Sequence, residues 1–268
     1  VKTFIYLKAG LMIKMEKWEI ALQKFLKKWE NKKEVTGAIV CGSFITGNPS
    51  KHSDIDIHII LDSKTSWRER GNEIIDGILI EYFANPVKKH YEYAEEDYKQ
   101  RRRINAHMFC TGKVLFDKTG ELKQLIKDSR KYLVKKYPKQ NKIQIELAKY
   151  HIWDMFDNLK EVFESDSEEF FFVFYNDLND LFETYAKFLQ FDSMPVHKLR
   201  RFLVNEKDKK KYHVSNFPDD EFVKMYVSAI NIKDKSKMIK EYQKLTNHVL
   251  DKMGGFNIDG WKIKSPAQ

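Results

Sequence analysis

The sequence predicts an α+β fold: a mixed β-sheet domain with flanking helices over residues 1–137, followed by an all-helical bundle domain over residues 138–268. Three observations carry that reading. Glycine recurs through the first half but is absent from Gln140 to Met253, so the second half lacks the residue that most often ends strands and forms tight turns. The first half holds short apolar or alternating runs, the pattern of strands. The second half repeats apolar residues at three-and-four spacing over long stretches, interrupted near Ser165, Pro195 and Pro218, as packed amphipathic helices require.

Taken in order, Met15 to Lys32 sets Trp18, Leu22, Phe25, Leu26 and Trp29 on one face, so a helix opens the first domain. Val35 to Cys41 is apolar and ends at Gly42, and Ile55, Ile57, Ile59 and Leu61 alternate with Asp54, Asp56, His58 and Ile60; both runs read as strands. Asn72 to Ile75 and Ile78 to Phe83 flank Asp76-Gly77, a pair suited to the positive φ angles of a tight hairpin, and add strands to the sheet. Helices are expected around 91–100 and 101–110, then a strand at Lys113 to Phe116 and a helix from Gly120 to Lys136, ahead of Pro138. The bundle helices fall near 141–164, 167–190, 196–204, 219–230 and 234–253, with Glu206 to Lys211 as a charged loop and Gly254 onward as a tail.

Composition narrows the class. A chain of 268 residues with 42% apolar and 14% aromatic content folds despite 32% charge. No uncharged apolar run approaches the roughly 20 residues that span a bilayer. Lys8 and Lys14 interrupt the opening stretch where a secretory signal needs a clean apolar core, so a cytoplasmic location with no membrane partner is expected. Cys41 and Cys110 lack zinc-site spacing and read as reduced, buried thiols. The net charge of +9 is uneven: residues 1–137 hold 27 Lys+Arg against 18 Asp+Glu (27 − 18 = +9), and residues 138–268 hold 21 of each. Residues 151–192 carry 11 acids and 2 bases (2 − 11 = −9). Most such charges are solvated helix faces, but a site that needs an anion on one side and a cation on the other would use both.

The chemistry concentrates between Gly37 and Leu61. An apolar strand ends in Gly42-Ser43, ten residues intervene, and Asp54-Ile55-Asp56-Ile57 opens a second strand. Alternate residues of a strand share a face, so Asp54 and Asp56 present adjacent carboxylates. Such a pair is costly without a cation, and magnesium takes carboxylate and phosphate oxygens together. Two ions about 3.5–4 Å apart would hold the attacking and leaving oxygens of a phosphoryl transfer. Gly42 permits close backbone approach to phosphate, and Ser43, opening the turn Phe44 to Asn48, offers a hydroxyl and an N–H. Glu81, between Ile80 and Tyr82 in an otherwise apolar run, is the candidate third acid.

These residues, over about residues 15 to 120, resemble the DNA polymerase β-type nucleotidyltransferase superfamily, whose signature is Gly-Gly or Gly-Ser followed by an acidic-apolar-acidic triplet. The resemblance implies that Gly42 and Ser43 form the nucleotide-phosphate loop, with Ser53 beside it, and that Asp54, Asp56 and Glu81 ligate two Mg2+ ions. The co-substrate implied is a nucleoside triphosphate, ATP being the expected one. A catalytic sheet followed by a helical domain is most similar to the aminoglycoside and lincosamide nucleotidyltransferases, in which a drug hydroxyl attacks the α-phosphate and pyrophosphate leaves. The acidic window at 151–192 would draw a cationic acceptor of that kind.

Kanamycin-type enzymes take a glutamate base and a phosphate-binding lysine from the first helix after the sheet, which implies Glu146 and Lys149. Their spacing of three also fits an ordinary surface pair, Glu81 is a rival base, and Asp154 and Asp157 are rival acceptor-site residues. Alternative readings keep the fold: nucleotidyl transfer to RNA, protein or another nucleotide, favoured by the basic first half, or a non-catalytic binding or antitoxin module. A monomer or homodimer serves any of these. Arg101 to Arg103 read mainly as a solvated helix start, His52 and His58 as surface and strand residues, and the Phe170–Tyr175 aromatic block as core.

Overall fold

Strand β1 (Thr3–Tyr6) pairs antiparallel with β2 (Met12–Met15) at the start of the chain, in a computed structural model that describes residues 3–6, 12–47 and 49–264. No strand pattern in the residues before Met15 predicts that pair. There follow α1 (Lys17–Leu26), β3 (Val35–Cys41), α2 (Ser43–Thr46), β4 (Ile55–Leu61), β5 (Glu69–Ile75) and β6 (Ile78–Pro86). Then come α3 (Val87–Lys99), α4 (Ile104–Thr111), β7 (Lys113–Asp117) and α5 (Glu121–Val134). The remainder is helical: α6 (Lys142–Glu164), α7 (Phe170–Phe188), α8 (Val196–Val204), α9 (Glu206–Lys211), α10 (Asp220–Asn231) and α11 (Lys235–Lys252). Among the described residues, no helix is long and apolar enough to cross a membrane. The chain divides into two units, residues 1–135 with Lys211–His213, and residues 136–210 with 214–268.

In the first unit the five-stranded sheet runs β5-β6-β4-β3-β7. It is mixed, because β4 and β6 are parallel while every other neighbouring pair is antiparallel. Period-two alternation along β4 decides what each face meets. Ile55, Ile57, Ile59 and Leu61 join Ala21, Leu22, Phe25 and Trp29 of the α1 region in one core, and on the opposite face Ile39, Cys41 and Ile60 pack with Phe109, Leu122 and Leu125. Along that second face burial rises from half-buried Asp54 and Asp56 to buried His58 and Ile60, so the acids lie at its open end.

The hairpin between β5 and β6 turns at Asp76-Gly77, where φ is 52° and 75°. This is the positive-φ pair that a two-residue hairpin needs, and it fixes the register Ile75↔Ile78, Asn72↔Glu81, Arg70↔Phe83.

The second unit packs its helices around one core that includes Ile152, Phe174, Leu181, Phe222, Tyr242 and Val249. Asn141 caps α6 in a reciprocal box with Gln144, and Asp219 and Asp234 cap α10 and α11.

Four expectations are corrected. The opening helix stops at Leu26, and turns continue to Asn31. Glu206–Lys211 is a helix, since Asn205 Oδ1 accepts from Asp208 N at 3.1 Å and Glu206 pairs with Lys209 one turn on. The aromatic block divides by helical spacing: Phe170 and Phe174 are core, whereas Phe171 and Phe172 are exposed. Cys41 is buried but Cys110, near the end of α4, is half-exposed.

Candidate active site

Two adjacent strands place the acids. Asp56 in β4 stands opposite Glu81 in β6 in parallel register, and Asp54 precedes β4 by one residue. Carboxylate oxygens of Asp54, Asp56 and Glu81 lie within 4.8 Å of one another. All three residues are half-buried. Three like charges at that separation repel, and hard oxygen donors converging from two strands are a donor set suited to magnesium or another hard divalent cation. The residues present therefore fit a hard divalent cation.

The loop before Asp54 is internally tied. Ser53 Oγ accepts from Ser50 N at 2.8 Å and donates to Ser50 Oγ at 3.4 Å, and Ser53 N donates to Ser50 O at 3.1 Å. These bonds set where β4 begins and hence the height of Asp54.

Gly42 joins β3 to α2 with φ +80°, and a Cβ built on it would lie 2.1 Å from Asp56 Oδ2. Only glycine allows that approach of backbone to carboxylate. Ser43 opens the expected turn as a single helical turn, Ser43–Thr46, ending at Gly47, and Asn48 lies outside the described residues. Gly42 O accepts from Ile45 N at 3.2 Å and Thr46 N at 3.1 Å.

Arg70 is a residue that sequence reasoning missed. Its guanidinium donates to Glu81 Oε1 at 2.6 Å and lies 4.9 Å from the centre of the Phe83 ring. The signal was available: a two-residue turn at Asp76-Gly77 fixes the register, which sets Arg70 diagonal to Glu81.

His58, on the same face two residues beyond Asp56, is a buried neutral imidazole packed among aromatic rings. Burial pushes its imidazole down to about 4, and among the described residues neither ring nitrogen has a hydrogen-bond partner. It stacks on Phe83 at 5.1 Å and meets His90 edge-on at 5.6 Å. Burial, then the charge of Asp56, raises the Cys41 thiol well above its ordinary value, which keeps it protonated and unreactive.

The other candidates divide by unit. Arg103 donates to the carbonyls of Leu133 and Lys135 and so ties down the end of α5. Glu146 and Lys149 belong to the second unit, where they form an i,i+3 ion pair at 2.9 Å with Lys149 buried. Asp154, half-buried, and Asp157, exposed and paired with Lys160, follow on the same helix.

The family described as polymerase beta, nucleotidyltransferase matches residues 23–121. That segment contains Gly42, Ser43, Asp54, Asp56 and Glu81, and it is similar to that family over those residues. No curated protein matches the chain. The crystal structure of a nucleotidyltransferase-like protein from Exiguobacterium sibiricum 255-15 is similar at 12% sequence identity, over 88% of this chain and 75% of that one, with a TM-score of 0.45.

Proposed function

We propose that this protein transfers a nucleoside monophosphate from a nucleoside triphosphate, ATP in the first instance, to a hydroxyl of a small cationic acceptor such as an aminoglycoside. The observation that carries the reading is the convergence of Asp54, Asp56 and Glu81 within 4.8 Å beside a glycine-serine turn. The acceptor oxygen bonds to the α-phosphorus, the bond to the β-phosphate oxygen breaks, pyrophosphate leaves, and the hydroxyl proton passes to a carboxylate. Bound Mg2+ supplies the positive charge that offsets the phosphate oxygens and lets the carboxylates sit together.

Asp54, Asp56 and Glu81 hold the metal in this reading. Gly42 lets phosphate approach the backbone, and Ser43 and Ser53 offer hydroxyls to it. Glu146 and Glu81 are the proposed alternatives for accepting the proton. Lys149 is proposed to meet phosphate from the helical part of the chain. The acidity of residues 151–192, much of it exposed at Asp157, Glu161, Glu164, Glu168 and Asp180, supports a polycationic acceptor drawn by its field. The reaction belongs in the cytoplasm, where nucleoside triphosphate is abundant.

The test is a panel of labelled nucleoside triphosphates with Mg2+ against aminoglycosides, lincosamides and total tRNA, scored by pyrophosphate release and product mass. Labelled antibiotic is the expected product. Labelled tRNA would move the acceptor to RNA, the reading that the +9 balance of residues 1–137 favours. No transfer to any acceptor by protein that binds nucleotide would contradict the enzymatic reading.

A further inference from the structure

The turn that carries Gly42 and Ser43 is met by a distant stretch of sequence, Lys211–His213, which groups with the first unit although the residues on either side of it group with the second. Tyr212 Oη and Thr46 Oγ1 are hydrogen-bonded at 2.9 Å across 166 positions of sequence. Thr46 Oγ1 also lies 3.2 Å from Gly42 O, to which it donates. The phenol therefore reaches the backbone of the turn through one hydroxyl. At the other end of the same turn, Lys211 Nζ lies 3.4 Å from where a Cβ on Gly47 would stand. Gly47 adopts φ +77°, a left-handed conformation that glycine accepts without strain.

Lys211 is half-buried, and among the described residues no carboxylate pairs with it. Its neighbour Lys209 differs in being paired with Glu206. A partly desolvated ammonium without an acid is stabilised by whatever anion reaches it. The two ends of the turn carry opposite charge: Gly42 abuts Asp56, and Gly47 abuts Lys211. Four helical residues lie between the two glycines. The turn thus presents a carboxylate at one end and an ammonium at the other, an arrangement suited to an extended polyanion held with its metal.

We propose that Lys211 is a phosphate-binding residue of this site, taking the end of the polyphosphate tail remote from the carboxylates, with Tyr212 positioning it through Thr46. The inference rests on the nucleotidyl-transfer reading above. Lys211 touches substrate; Tyr212 acts through the turn. His213, in a left-handed conformation at φ 54°, ends the stretch and turns the chain away.

The experiment is calorimetric titration of the full chain with inorganic tripolyphosphate in Mg2+, a probe without base or sugar, alongside Mn2+ titration. Lys211→Gln is expected to weaken tripolyphosphate by about tenfold, the loss of one charge-assisted contact. Lys211→Arg, which keeps the charge, stays within about threefold of wild type. Tyr212→Phe weakens tripolyphosphate while leaving Mn2+ affinity unchanged, which a general loss of structure would not do. If Lys211→Gln binds like wild type while Asp54→Asn binds weakly, the phosphate site exists and Lys211 has no part in it. If wild type itself ignores tripolyphosphate, both the nucleotidyl-transfer reading and this assignment fall.

Discussion

Asp219 in the second unit and the acid trio in the first meet their neighbours in opposite ways. Asp219 accepts from Phe222 N at 3.0 Å, from the Tyr185 hydroxyl at 2.7 Å, and bonds His248 Nε2 at 2.8 Å. Burial alone would raise its carboxyl, but those bonds outweigh burial and hold it at about 2. Asp54, Asp56 and Glu81 instead point carboxylate oxygens at one another within 4.8 Å, with Arg70 on the outer side of Glu81. Asp177 is a third case: among the described residues one carboxylate oxygen is buried without a hydrogen-bond partner, and burial, then the charge of Asp180, pushes it up to about 7. An acid that serves structure is surrounded by protein donors, whereas acids that converge on each other are arranged for a cation from outside.

The contrast predicts effects of very different size. The largest is on activity: Asp54→Asn or Asp56→Asn should lower pyrophosphate release by at least about a thousandfold, the scale of losing a preorganised electrostatic group. Thermal stability without metal should be kept or raised, because repulsion is relieved, and a melting curve checks this. Asp219→Ala should do the reverse, leaving metal binding intact while destabilising the second unit by roughly 2 kcal/mol through lost capping and lost hydrogen bonds. Its pH signature follows from a carboxyl held below the ordinary 3.8: the stabilisation is complete above that value and disappears as pH falls through about 2. Denaturant titrations of both proteins across that window should converge at the acid end.

Gly42→Ala comes next. A methyl 2.1 Å from Asp56 Oδ2 at φ +80° must displace that carboxylate, and destabilisation of at least about 1–2 kcal/mol should accompany weakened metal binding. Asp177→Asn should be stabilising. The folded state holds the carboxyl proton up to about 7, so the ionised carboxylate opposes folding increasingly as pH rises from the ordinary 3.8 through that value. The variant's gain in melting temperature should therefore be larger at pH 8 than at pH 5. The smallest effect belongs to Arg70→Gln. Its side chain is 70% exposed, so loss of the ion pair should change stability by less than about 1 kcal/mol. Releasing Glu81 should, however, leave Mn2+ affinity equal or higher.

Elements with strong local signals were readable in advance. The alternation along β4, the Asp76-Gly77 hairpin and the long periodic stretches of α6, α7, α10 and α11 all appear within two or three residues of where the pattern places them. The acid trio was legible because strand periodicity aligns Asp54 with Asp56 and an acid in an apolar strand is conspicuous at Glu81. Their common location needed the parallel pairing of β4 with β6, which no local pattern encodes. The α9 helix was obscured by its charge, since i,i+3 pairing and an Asn cap stabilise it without an apolar stripe. Lys211 and Tyr212 left no trace in the sequence, because their meeting with Thr46 and Gly47 depends on tertiary contact alone.

Manganese titration of the wild type and Asp56→Asn, followed by electron paramagnetic resonance at near-neutral pH, tests the central claim most directly. If the three carboxylates form a metal centre, the wild type binds Mn2+ and Mg2+ competes for the same ion site, while Asp56→Asn loses that binding and remains folded. Equal Mn2+ binding by the two proteins, or none by the wild type, would contradict it.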